Sequence, residues 1–214
     1  MTTEQEFLKD VENHVMQVIK DDGVYRHIRF RRPGTMCMYF DLITWPGYLC
    51  YCGDMGTYVF CRLEDMFEFF RIDREYAGNN RLFINKDYWA EKLQATDGGK
   101  SSTGATEYSP EIFEQHVKKL LVSWWQDYDL NRDERRKLRE KIEDDVLAYS
   151  NDGAVDAYDA ARLFSAKVGG QKFEIIDFWE VDCTRYTHHF IWCCYALAWG
   201  IQKYDQELQA VVPA

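Results

Sequence analysis

No apolar run in this chain is long enough to cross a membrane. The longest uncharged apolar stretch, 190–201, rises at about 1.5 Å per residue and falls short of a hydrocarbon core of roughly 30 Å. The first residues, MTTEQEFLKDVENHV, have no apolar core of the secretory kind. Positive charge is in deficit: 26 Lys and Arg face 36 Asp and Glu, a net charge of −10. Such a chain repels nucleic acid and anionic membranes and favours basic protein surfaces. Proline is scarce at four residues. Several catalytic signatures are missing as well. There is no His-Glu-x-x-His and no Gly-x-Ser-x-Gly. The stretch Gly98-Gly99-Lys100-Ser101-Ser102 contains Gly-Lys-Ser without an upstream glycine at phosphate-loop spacing. No cofactor is implied.

Large rings, in contrast, are abundant: aromatics make up 16% of 214 residues. They carry much burial per residue and also favour interfaces. Seven cysteines, an odd number, read as reduced thiols that act as small core hydrophobes in a cytoplasm.

Period and punctuation set the expected fold. Phe7, Val11, Val15 and Ile19 lie four apart, which predicts a helix over 4–20. The period then changes to two. Segments 25–32, 38–45, 48–52 and 57–62 read as strands, separated by Pro33-Gly34, Pro46-Gly47 and Gly53-Asp54-Met55-Gly56. Connections this short force antiparallel neighbours, hence a four-stranded meander. Short helices are expected over 63–71 and 86–93. The Gly/Ser/Thr-rich 95–108 is expected to be a flexible loop dividing an α+β part, 1–94, from a mainly helical part, 109–214.

In that second part, Ser109-Pro110 opens a helix with Phe113, Val117, Leu120, Leu121 and Trp124 inward. Asn131 and Glu134 form a capping box for the next helix, which buries Leu138, Ile142 and Val146. A further helix covers 154–167, a strand 172–179, and a long final helix 187–207 with Phe190, Ile191, Cys194, Ala198 and Ile201 buried. The expected class is α+β: an N-terminal antiparallel meander with flanking helices, and a C-terminal mainly helical part sharing one core.

Four groups of residues carry possible chemistry. Cys50, Cys52 and Cys61, with His27, supply metal-ligand atoms, but Cys-x-Cys within a strand lacks a zinc knuckle. A packed hairpin, with Gly53 and Gly56 at positive φ, is the expected alternative. His188 and His189 with Asp177 and Asp182 offer a metal-hydrolase cluster, although adjacent helical histidines point about 100° apart. Arg26, Arg29, Arg31 and Arg32 form a basic strand on which Arg29 and Arg31 share a face fit for phosphates. Residues 127–159 hold eleven acids against six bases, and there Glu140, Glu143 and Asp144 share a helical face.

Two segments, GDMGTYVFCRLEDMFEFF and HHFIWCCYALAWGIQKYD, resemble proteins encoded by tailed phages and prophages of proteobacteria. The resemblance transfers no catalytic assignment. It implies a small acidic phage protein in the cytoplasm of an infected bacterium. Such proteins act by binding a host protein complex that handles nucleic acid or defends the cell, as inhibitors of CRISPR–Cas do. A metal-dependent hydrolase or nuclease, and a nucleic-acid-binding module built on the arginine strand, are the alternative expectations.

Overall fold

The computed structural model describes residues 2–72, 74, 81–97 and 104–211. The chain is α+β, and its described residues fall into two compact units: 1–106 with 186–214, and 107–185. The first crossing falls between Thr106 and Glu107. The C-terminal helix, assigned by sequence to the second part, belongs instead to the first unit. The one shared core is likewise replaced by two hydrophobic clusters, one per unit.

Helix α1 (Glu4–Asp10) begins at a capping box in which Thr3 and Glu6 satisfy each other's backbone N–H groups. It buries Phe7 and ends at Val11, so the expected helix over 4–20 is cut in half. Strand β1 (Val15–Asp22) follows. Val15, Val18 and Ile19 are β-branched and fit an extended chain, and β1 pairs antiparallel with β2 (Tyr25–Arg31). The meander continues through β3 (Phe40–Trp45), β4 (Tyr48–Gly53) and β5 (Gly56–Cys61). Helices α2 (Met66–Arg71) and α3 (Lys86–Glu91) lead to β6 (Leu93–Thr96), which pairs with β5. The sheet therefore has six strands in the order β1-β2-β3-β4-β5-β6, two more than the meander read from sequence. Residues 98–103 of the expected loop lie outside the described residues.

One face of the sheet carries Ile28, Phe30, Phe40, Leu42, Leu49, Tyr51, Tyr58 and Phe60, all fully buried. Helix α7 (His188–Val211) covers it. Phe190, Ile191, Cys194 and Ile201 are buried as the spacing predicts, and Ala198 is half-buried. Phe40 meets Trp192 edge-on at 5.7 Å, and Phe30 meets Trp199 at 5.3 Å. Gly200 sits over the sheet, where a Cβ would come within 3.0 Å of Leu42 Cδ1.

Gly56 has φ of 98°, as its turn position demands. Gly53 differs from expectation, because its φ is not positive. Glycine is needed there for close approach: a Cβ would lie 2.2 Å from the Tyr39 carbonyl oxygen. Gly53→Ala is expected to lower stability by about 1–3 kcal/mol through forced backbone displacement. Urea unfolding followed by tryptophan fluorescence checks this; an unchanged midpoint would contradict it.

The second unit contains α4 (Pro110–Asp127), α5 (Arg132–Asp145), α6 (Ala154–Leu163) and the hairpin of β8 (Ser165–Val168) with β9 (Gln171–Glu174). The helix expected over 154–167 ends early because Phe164 adopts an extended conformation. Two further short strands pair with each other: β7 (Thr106–Tyr108) and β10 (Thr184–Tyr186). Phe113, Val117, Leu121, Leu138, Ile142 and Val146 are buried as expected, whereas Leu120 is exposed. Ser109 caps α4 with Pro110 at its first position, and the Asn131–Glu134 capping box forms on α5.

Candidate functional site

The outer face of the six-stranded sheet gathers several of the residues singled out by sequence. Strand alternation places Cys50 and Cys52 of β4 there, beside Ile43 and Asp41 of β3. Cys61 lies opposite Tyr48, further along the same face. All three thiols are half-buried. Among the described residues, no group of three or more His, Cys, Asp or Glu side chains is placed to hold a metal ion. The Cys50/Cys52/Cys61 and His27 grouping is therefore part of the hairpin surface, and His27 is committed elsewhere.

That commitment is to Asp41. Arg29 donates to both Asp41 oxygens at 2.8 Å, and His27 Nε2 lies 2.8 Å from Oδ2. Burial pushes the Asp41 carboxyl up, but hydrogen bonds from Arg29 and His27 outweigh it and hold the group below its usual range. Arg29 is thus neutralised within the face. Arg26 is buried on the other side, in a bidentate pair with Asp65. Of the arginine strand expected to meet phosphates, half-exposed Arg31 and exposed Arg32 have no ion-pair partner among the described residues. Pairing across strands consumes the charge that a linear reading leaves free.

The His188–His189 group fares similarly. Thr187 caps α7, accepting from the Phe190 N–H and donating to the Gly104 carbonyl. Asp182 accepts from the Thr184 N–H. His188 Nδ1 is hydrogen-bonded to the Thr2 hydroxyl. With Asp177 and Asp182, the two histidines form no ligand set among the described residues.

The acidic helix of the second unit does present what its spacing suggests. Glu140, Glu143 and Asp144 are all exposed on the C-terminal half of α5, and Glu140 is held 3.8 Å from Arg136. Next to them the chain makes a 3₁₀ turn, Leu147–Tyr149, and α6 follows. A cleft of about 430 Å³ opens there, lined by Asp145, Tyr149, Asp156, Asp159, Leu163 and Phe164 among others. Asp159 is engaged by Arg162 at 3.1 Å. Asp145 and Asp156 have no ion-pair partner among the described residues, and Leu163 is 69% exposed.

This arrangement combines an apolar wall with unpaired carboxylates. It suits the aliphatic stem and charged head of an arginine or lysine side chain. The carboxylates are not gathered tightly enough to ligate a metal. Sequence reasoning counted Asp145, Asp156 and Asp159 among the acids but missed the cleft. Its signal is the exposed apolar pair Tyr149 and Leu163 within an acidic segment. Compared with protein-family models, curated proteins and solved structures, the chain matches none.

Proposed function

We propose that this protein is a non-enzymatic binder that inhibits a host nucleic-acid-handling or defence complex, and that it meets its partner through the acidic surface of the second unit. The observation that carries the reading is the cleft in which Asp145 and Asp156 lie unpaired beside Tyr149 and Leu163. Proteins that handle nucleic acid expose rows of lysine and arginine for phosphates. An acidic cleft with an apolar wall competes for those side chains, and Glu140, Glu143 and Asp144 extend the same sign of charge along α5. The net charge of −10 speeds encounter with such a surface. The resemblance of two segments to phage-encoded proteins would imply the same direction and an encounter in the bacterial cytoplasm.

The test is retention of a host protein by the tagged chain at moderate salt. Asp145→Lys with Asp156→Lys is expected to weaken that retention by roughly a hundredfold, since each reversal replaces attraction with like-charge contact. Reversing Glu140, Glu143 and Asp144 to Lys should weaken it less, and more at low salt than at high salt. Folding should hardly change, because Leu138, Ile142 and Val146 carry the packing of α5. Retention of the same host protein by the cleft variant would sink the proposal.

A further inference from the structure

The N-terminal half of α5 has the opposite sign from its C-terminal half. Arg132, Arg135, Arg136 and Arg139 stand at i, i+3, i+4 and i+7 and therefore form one stripe. All four are exposed. They line a pocket of about 610 Å³ together with Trp125 and Asp133. Arg136 is shared between Asp133 at 3.2 Å and Glu140 at 3.8 Å. Arg132, Arg135 and Arg139 have no carboxylate partner among the described residues, although Arg139 packs over the Trp125 ring at 5.6 Å. Three uncompensated guanidinium groups on one wall repel one another unless an anion joins them.

Two further features act in the same direction. The stripe begins in the first turn of a 14-residue helix, where the backbone dipole favours negative charge. A second cleft of about 690 Å³ also has Trp125 and Arg135 in its wall, with Val122, Gln126 and Tyr128 beside them. Tyr128 in turn packs against Trp124, with ring centroids 4.6 Å apart. The Trp125 indole N–H is buried without an acceptor. Trp125 and Arg135 are common to both clefts, so the arginine-lined pocket adjoins an aromatic cleft that also carries Gln126, Asp127 and Asp129. Both volumes fall within the range of small-molecule sites.

We propose that these adjoining clefts form a nucleotide site. The arginines bind the phosphate chain bidentately, and the cleft beside Trp125 and Tyr128 takes the base, whose polar edge meets Gln126 and Asp127. The overall negative charge does not oppose this, because screening over about 8–10 Å leaves the local guanidinium groups in control. The site is separate from the acidic cleft and stands or falls independently of it. The shared chemistry is that of a nucleoside polyphosphate or of the phosphorylated end of a nucleic-acid strand.

Calorimetric titration of the full chain at moderate salt tests the assignment. The probes are ATP, inorganic tripolyphosphate, adenosine, and a short single-stranded oligonucleotide bearing a 5′-phosphate. ATP or the oligonucleotide is expected to bind saturably. Tripolyphosphate should bind about tenfold more weakly, and adenosine more weakly still. Tighter binding of ATP assigns a free nucleotide, and tighter binding of the oligonucleotide assigns a strand end. The double variant Arg135→Gln, Arg139→Gln should lose roughly tenfold or more in affinity. Arg132→Gln, tested alone, gives the same reading from a residue outside the Trp125 contact. Absence of saturable binding, tripolyphosphate binding as tight as that of ATP and the oligonucleotide, or arginine variants that bind like the parent would overturn the site.

Discussion

Phe40→Ala is expected to destabilise the first unit by about 4 kcal/mol, within the range for deleting a fully buried ring. Phe40 is the hub of the aromatic core. It stacks on Phe30 at 4.8 Å and on Tyr51 at 5.7 Å, and meets Trp192 and Trp199 at 5.7 and 6.3 Å. It is fully buried, so its removal forfeits both transfer from water and contact on every side. Neighbouring large, stiff rings cannot collapse into the space, which places the cost at the upper part of the range. Phe40→Leu retains most of the volume and should cost about 1.5 kcal/mol. Denaturant unfolding read by the near-ultraviolet signal of the tryptophans measures both. A loss below 1 kcal/mol for the alanine variant would show that the cluster is more plastic than close packing allows.

Asp65→Ala should cost about 3 kcal/mol by a different route. Asp65 accepts from Arg26 at 2.9 and 2.8 Å, and Arg26 is only 9% exposed. Removing the carboxylate strands a guanidinium against the Phe67 ring, with Asp21 3.9 Å away as its remaining anion. The same change removes the N-cap of α2, because Asp65 also accepts from the Phe67 N–H. The double variant Arg26→Met, Asp65→Leu should recover part of the loss, since it leaves no buried charge unpaired.

Acid should mimic the single variant. Burial raises the Asp65 carboxyl, but the hydrogen bonds from Arg26 and the Phe67 N–H outweigh it and hold the group below its ordinary value. A depressed carboxyl contributes stability fully above its unfolded value near pH 3.9 and loses it as pH falls through the lower folded value. Asp65→Ala should therefore flatten the acid limb of the stability profile. A parallel profile would contradict the assignment.

Legibility followed locality. The strands β2 to β5 were readable because each turn carries its own chemistry: Gly47 and Gly56 adopt the positive φ that only short turns need. Both capping signals in the second unit, Ser109-Pro110 and Asn131 with Glu134, were readable for the same reason. What failed depended on partners distant in sequence. Val15 and Ile19 continue a helical stripe from Phe7, yet they join β1 because β2 offers a ladder. Arg29 looked available for phosphate until pairing set it beside Asp41, twelve residues away. In α5 the net acidity of the segment concealed a basic stripe, because summing charge discards the helical angle at which each side chain leaves the axis.

The first unit is closed by α7, yet about 80 residues of the second unit intervene between Thr106 and Tyr186. During synthesis at about 5–20 residues per second, the sheet waits some 4–16 s for the helix that covers Phe30, Phe40 and Tyr58. Throughout that interval a greasy platform is presented to solvent while the inserted unit folds on its own core. Nascent chains are thus exposed to chaperone capture and to mutual adhesion until the last helix emerges. Yield in rapid overexpression should be limited by this delay rather than by the stability of the finished molecule.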